Sequence, residues 1–177
     1  MPTRRIFAVV CAALALTFAS GSAALAYSTD SAKPPSTTDD QCAAGDHVIR
    51  GSNGADTIDA NKAPYNASIP YTICTFGGDD TIIANNAGDH IIAGPGNDTI
   101  YGGTGNDTVE GQGGTDTIFG GGGQDVLLGQ TGDDFIYAND KDNTDDGFVD
   151  TIDGGTGNDH CVFTTTGANA DKASNCP

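Results

Sequence analysis

Seven aspartates, Asp80, Asp89, Asp98, Asp107, Asp116, Asp125 and Asp134, stand nine residues apart without a slip. Two residues after each comes an aliphatic: Ile82, Ile91, Ile100, Val109, Ile118, Leu127 and Ile136. Two residues before each comes Gly, replaced once by Ala87. The set brings carboxylate oxygens and Gly-rich main chain, with no imidazole or thiolate in the repeating positions. Oxygen donors of this kind suit a hard divalent cation rather than a transition metal. Catalytic patterns are missing: there is no HExxH, no GxSxG and no pair with the spacing of a nucleophile and its base. His47, His90 and His160 are the three histidines and fall at distant points of the chain, which argues against a shared site.

The elements that position these aspartates are equally periodic. Residues 75–137 form seven unbroken nonapeptides, each a Gly-rich turn followed by a three-residue strand such as Thr99-Ile100-Tyr101. The register continues in weaker form on both sides. Upstream, GSNGADTID carries Asp56, Thr72-Ile73-Cys74 follows Tyr71 where an Asp is expected, and His47-Val48-Ile49 follows Asp46. Downstream, seven residues intervene before Asp150-Thr151-Ile152, and Asp159-His160-Cys161 comes nine later. Such regularity is the mark of a repeat architecture.

The best copies, GGTGNDTVE at 102–110 and GGTGNDHCV at 154–162, resemble the nonapeptide GGxGxDxUx (U aliphatic) of the repeats-in-toxin (RTX), or hemolysin-type, calcium-binding proteins. The resemblance covers roughly residues 46–162. It implies an all-β fold, a right-handed parallel β-roll, in which six residues turn and bind calcium and three form a strand. The residues fit that geometry. Two strands make an 18-residue coil, so equivalent turns stack about 4.8 Å apart. Asp80, Asp98, Asp116 and Asp134 then form one row, and Asp89, Asp107 and Asp125 another. Two carboxylates at that spacing repel by about 3 kcal/mol at an effective dielectric near 20. A cation between stacked turns removes the repulsion. Calcium suits a carboxylate and carbonyl ring better than magnesium, which demands stricter octahedral geometry. One ion per neighbouring pair gives about five sites in the regular repeats, with Asp56 and Asp159 as further ligands. Ala87, Pro95 and Thr75-Phe76 depart from the pattern and are expected to weaken the sites they border. The alternative is a metal-free solenoid with Asp only as a turn former, a role Asn fills as readily.

Composition bounds the partners. Of 24 acidic residues only Glu110 is not Asp, against 7 Lys or Arg, for a formal charge of −17. Nucleic acid and anionic membrane surfaces, which are held mainly by Lys and Arg, are therefore poor partners, and none is expected. Residues 1–26 read as a secretory signal: Arg4 and Arg5, an apolar run from Ile6 to Ala19, and Ala24-Leu25-Ala26 for cleavage. The run is too short to span a membrane comfortably. The remaining divisions are a flexible lead-in (27–41), an N-terminal cap of degenerate repeats (42–74), the regular repeats (75–137), an acidic insertion (138–150), and a last repeat with C-terminal cap (151–177). The expected location is extracellular. Cleavage leaves Cys42, Cys74, Cys161 and Cys176, which suggests two disulfides among three connectivities. Cys74 and Cys161 lie about four coils apart, on the order of 20 Å, beyond the roughly 7 Å that a disulfide allows. Cys42–Cys74 and Cys161–Cys176 are the expected pairs, stapling the two ends.

Two features stand outside the repeat. DNTDDGFVDTID (142–153) is similar to a calcium loop of EF-hand or dockerin type, against the plainer reading of an acidic surface loop. Ile83, Tyr101, Phe119 and Tyr137 fall on the outer side of one sheet, a surface for glycans or self-association, or simple ladder packing. The sequence thus points to a secreted, non-catalytic calcium-binding β-roll that folds on its ions. The alternatives are a calcium-dependent adhesin or glycan-binding module and, less favoured, an accessory module of a secreted hydrolase. A mature chain spent mostly on repeats leaves little room for a catalytic domain.

Overall fold

The computed structural model describes residues 42, 47–139, 146–163 and 170–177. The signal (1–26), the lead-in (27–41), Asp46 and residues 140–145, including Asp142 of the loop-like stretch, lie outside them.

Thirteen strands run in chain order among the described residues. They are β1 (Val48–Arg50), β2 (Thr57–Asp59), β3 (Thr72–Cys74), β4 (Thr81–Ile83), β5 (His90–Pro95), β6 (Thr99–Thr104) and β7 (Thr108–Gly113). β8 (Thr117–Gly122), β9 (Val126–Thr131), β10 (Phe135–Tyr137), β11 (Thr151–Thr156), β12 (His160–Val162) and β13 (Lys172–Ser174) complete the set. Odd-numbered strands form one seven-stranded sheet in the order β1-β3-β5-β7-β9-β11-β13, and even-numbered strands a six-stranded sheet from β2 to β12. All pairings are parallel, so the chain is a parallel β-roll. Among the described residues no helix is long and apolar enough to cross a membrane.

The register is the 18-residue step. Ile100 pairs with Ile82 and Ile118, and Val109 with Ile91 and Leu127. In a three-residue strand only the middle side chain points inward. Those residues form the core: Ile73, Ile82, Ile91, Ile100, Val109, Ile118, Leu127, Ile136 and Ile152 are fully buried. Ala60, Ala84, Ala93 and Ala138 fill the corners where strands enter turns.

Both ends are stapled. Cys42–Cys74 and Cys161–Cys176 are disulfides with Cα atoms 6.2 and 5.7 Å apart. Cys161 continues the aliphatic register beyond Ile136, and Cys176 packs against the same core. β13 adds a rung beside β11. The outer row is a stack: Tyr101 and Phe119 lie 5.0 Å apart at 8°, Phe119 and Tyr137 4.8 Å apart at 15°. Phe119 is consequently buried between its neighbours, while Tyr101 and Phe135 stay exposed.

Candidate metal centre

The turns lie along two edges of the roll. Along one edge run six six-residue turns, 51–56, 75–80, 93–98, 111–116, 129–134 and 154–159, each leading from an odd strand to an even one. Along the other, only 84–89, 102–107 and 120–125 keep that length. Longer links, 60–71 and 138–150, flank them.

Glycine is required where these turns approach one another. Gly132 has φ of 132°, and an added Cβ would run into the Gly114 carbonyl of the neighbouring coil. At the second turn position Phe76, Gln112 and Gln130 take left-handed φ values of 72°, 79° and 75°. Three non-glycine residues thus carry backbone strain beside the aspartates.

Every predicted aspartate lies in one of two rows. Asp56, Asp80, Asp98, Asp116, Asp134 and Asp159 share the first edge, and Asp89, Asp107 and Asp125 the second. One carboxylate oxygen does a structural job. Oδ1 of Asp80, Asp98, Asp116, Asp134 and Asp159 each accepts the N–H of the preceding aspartate in its row, at 2.8 to 3.0 Å. Along the second edge Tyr71 N–H donates to Asp89, Asp89 N–H to Asp107 and Asp107 N–H to Asp125.

The other oxygen has no such role. Oδ2 of Asp80, Asp98, Asp107, Asp116, Asp125, Asp134 and Asp159 is buried and meets no hydrogen-bond donor. At Asp107, Asp116, Asp125, Asp134 and Asp159, where glycine stands five residues earlier, this oxygen points into a small oxygen-lined gap, whereas at Asp80 and Asp98 that position is held by Thr75 and Ala93. A methyl group on Gly120 would lie 2.6 Å from Asp125 Oδ2 and against the Ala138 carbonyl oxygen. The same construction at Gly129 meets Asp134 Oδ2 and the Gly154 carbonyl, and at Gly102 it meets Asp107 Oδ2 and the Gly120 carbonyl. At Gly154 it meets Asp159 Oδ2, 2.6 Å away, and the Asn175 carbonyl. Only glycine leaves this space open. Among the described residues no three His, Cys, Asp or Glu side chains converge, so carbonyls must supply much of any coordination shell.

The electrostatics match the geometry. Burial pushes the Asp98 carboxyl up to about 6, with neighbouring Asp80 and Asp79 adding to the rise. Burial likewise raises Asp107 to about 8, reinforced by Asp125 and Asp89, and Asp116 and Asp125 to about 7. Asp80, Asp89 and Asp134 are raised for the same reason. A buried carboxylate oxygen without a donor costs about 1–3 kcal/mol or more. A divalent cation in such a gap would supply the missing counter-charge, and the oxygen donors fit calcium.

Two row members escaped the nonapeptide count. Asp150 Oδ1 accepts Asp125 N–H, and Asp171 Oδ1 accepts Asp150 N–H, extending the second row. The Asp150-Thr151-Ile152 register signals the first. Asp171 is followed by Lys172-Ala173-Ser174, with neither the aliphatic nor the Gly that would mark it.

The sequence model of a family described as RTX calcium-binding nonapeptide repeat matches four stretches, residues 43–62, 75–109, 110–145 and 146–161. Neither the curated proteins nor the solved structures contain a significant match.

Proposed function

The chain belongs to the RTX calcium-binding nonapeptide repeat family, and from that premise we propose a secreted, non-catalytic calcium-binding protein whose roll orders as calcium enters the gaps between stacked turns. Asp80, Asp89, Asp98, Asp107, Asp116, Asp125 and Asp134 ligate through their carboxylates, with Asp56 and Asp159 extending the first row. Turn carbonyls complete each shell. The regular repeats take about five ions, one for each neighbouring pair in a row. The observation that carries this reading is the series of buried, donor-free Oδ2 atoms facing carbonyl oxygens across the gaps.

Secretion rests on the basic and apolar N-terminal segment with its small-residue cleavage site, and on two disulfides of the kind an oxidising compartment maintains. Outside the cell calcium is plentiful, and a weak repeat site fills there. A glycan surface gains no support from the aromatic row, whose ring faces are turned toward one another.

The test is circular dichroism of the metal-free protein during a calcium titration. Strand signal is expected to rise with calcium and fall again with chelator. Full strand signal in excess chelator overturns calcium-driven ordering.

A further inference from the structure

The gap between the turn 120–125 and the described residues 138–139 and 146–150 is built unlike five of its counterparts. In five other turns the N–H of the fourth residue donates to a main-chain carbonyl of the next coil. These bonds are Gly78 to Pro95, Gly96 to Gly113, Gly105 to Gly122, Gly114 to Thr131 and Gly132 to Thr156, at 2.7 to 3.0 Å. At Gly123 the acceptor is the Asp146 carboxylate, whose Oδ2 lies 2.6 Å away. Asp146 is held in place by its own turn, with Oδ1 accepting Phe148 N–H at 3.0 Å. The link is tied to the turn a second time by Gln124 Nε2 donating to the Val149 carbonyl at 3.2 Å. A full negative charge therefore stands where the regular gaps have a neutral carbonyl.

Two further donor-free oxygens lie on the residues that bound this gap. Asp125 is wholly buried, and its donor-free Oδ2 faces the Ala138 carbonyl across Gly120. The next residue, Asn139, is 3% exposed, and its Oδ1 also lacks a donor. It is the one amide oxygen among the described residues in this condition. A buried oxygen of this kind calls for a cation or a proton donor.

We propose that this gap is a distinct calcium site, with Asp146 as a carboxylate ligand from outside the nonapeptide pattern and Asp125, the Ala138 carbonyl and Asn139 as its other oxygens. Resting on the calcium reading above, it assigns this gap the tightest affinity in the molecule. Affinity in oxygen-ligand sites follows ligand charge and rigidity, and this site has one more carboxylate than its neighbours and two ties on its link. The acidic insertion is then a working part of the roll.

The test is a competition titration of the full chain against a fluorescent calcium chelator. In Asp146→Asn the one remaining side-chain oxygen can still accept the Gly123 N–H, at the loss of the Phe148 N–H bond, while the charge is removed. The tightest binding step is expected to weaken by about tenfold or more, with the weaker steps unchanged. Asn139→Ala keeps every carboxylate and is expected to weaken the same step severalfold. Asp98→Asn, on the other edge, is expected to leave the tightest step intact and reduce a weaker one. Wild-type-like tight binding in Asp146→Asn overturns the assignment while leaving calcium binding by the roll in place. Absence of calcium binding by the wild-type chain overturns both.

Discussion

The central coils and the N-terminal coils have the same strands and the same register, yet they treat the gap between turns differently. From Asp98 to Asp134 the carboxylates of the rows keep a buried oxygen without a donor, whereas Asp56 and Asp89 do not. In the N-terminal coils the protein's own main-chain and side-chain donors take that place. Asp56 Oδ2 accepts from Ser52 N–H at 2.6 Å and from the Ser52 hydroxyl at 3.0 Å. Asp89 Oδ2 accepts from Asn85 N–H at 2.9 Å. The Asn85 amide, fully buried, donates to the Ile69 carbonyl at 2.8 Å and the Asn66 carbonyl at 3.3 Å. Asn61 Nδ2 donates to the Ala84 carbonyl at 2.7 Å, and the Thr75 hydroxyl to the Ala93 carbonyl at 2.8 Å. An O–H or N–H donor thus satisfies locally the oxygens that elsewhere call for a cation. Asp80 marks the border: the Thr75 hydroxyl lies 2.8 Å from the Ala93 carbonyl, to which it donates, and beside the Asp80 carboxylate, where it offsets part of the rise that burial causes. Loss of the repeat motif in these coils is therefore replacement of one kind of satisfaction by another.

The largest expected effect comes from removing calcium. Amides of β6 to β10 are expected to lose hydrogen-exchange protection in chelator, while those of β1 to β5 keep most of theirs, being held by side-chain donors and the Cys42–Cys74 disulfide. Exchange measured by mass spectrometry with and without chelator checks this, and uniform loss along the chain breaks the contrast.

A pH series in metal-free buffer has the next largest effect. Asp98, Asp107, Asp116 and Asp125 have folded-state values of about 6 to 8, raised above the ordinary carboxylate value of 3.8 mainly by burial. A raised value means that the folded state binds more protons than the unfolded one over that interval. Their stability contribution is fully present below about 4 and is lost as pH rises through 6 to 8. The metal-free central coils should therefore melt higher at pH 5 than at pH 8. In saturating calcium this dependence should reverse, because protons compete with the ion for the same oxygens. A flat melting profile in metal-free buffer contradicts the burial of these groups.

Gly132→Ala and Gly54→Ala separate the packed turns from the open one. At Gly132 a Cβ meets the Gly114 carbonyl at a left-handed φ of 132°, whereas at Gly54 the nearest atom is the Ser52 hydroxyl oxygen at 4.0 Å. The first change is expected to cost about 2–3 kcal/mol and the second about 0.5 kcal/mol or less, read from thermal melting in calcium. Equal costs would mean that the turns stack no more closely in the centre than at the N-terminal end.

Much of this was readable from residue spacing because the nine-residue count runs unbroken through 75–137, and a fixed count with strand geometry forces the aspartates into rows. The disulfide pairs followed from distance along the roll. What spacing conceals is the partner of a departure. Asn85 and Thr75 are visible as breaks in the pattern, but their acceptors, the carbonyls of Ile69 and Ala93, depend on a long link and on the coil above. Asp150 was visible only as a register fragment beyond the insertion. Asp146 and Asp171 carry no periodic signal, since the link sets the first and an atypical last strand the second. Periodicity thus locates the acceptors of the regular gaps and is silent on what fills the irregular ones.

The smallest expected effect is the sharpest discriminator between the two kinds of gap. Thr75→Val keeps the shape of a fully buried side chain and removes its one donor, leaving the Ala93 carbonyl without the 2.8 Å bond. Leaving one buried acceptor unsatisfied is expected to cost about 1 kcal/mol. Because a hydroxyl and not an ion satisfies that carbonyl, the cost should be the same in calcium and in chelator. Asp116→Asn should behave oppositely. It removes a carboxylate whose Oδ2 has no donor and whose value burial raises to about 7, so the metal-free roll should lose nothing, and only the calcium-loaded state should weaken. Thr75→Val is read from the denaturant midpoint of the N-terminal coils with and without calcium, and Asp116→Asn from that of the central coils in calcium, where they are ordered. A calcium-dependent cost for Thr75→Val would place an ion in the gap that Thr75 fills, and would move the border between the two regions toward the N-terminus.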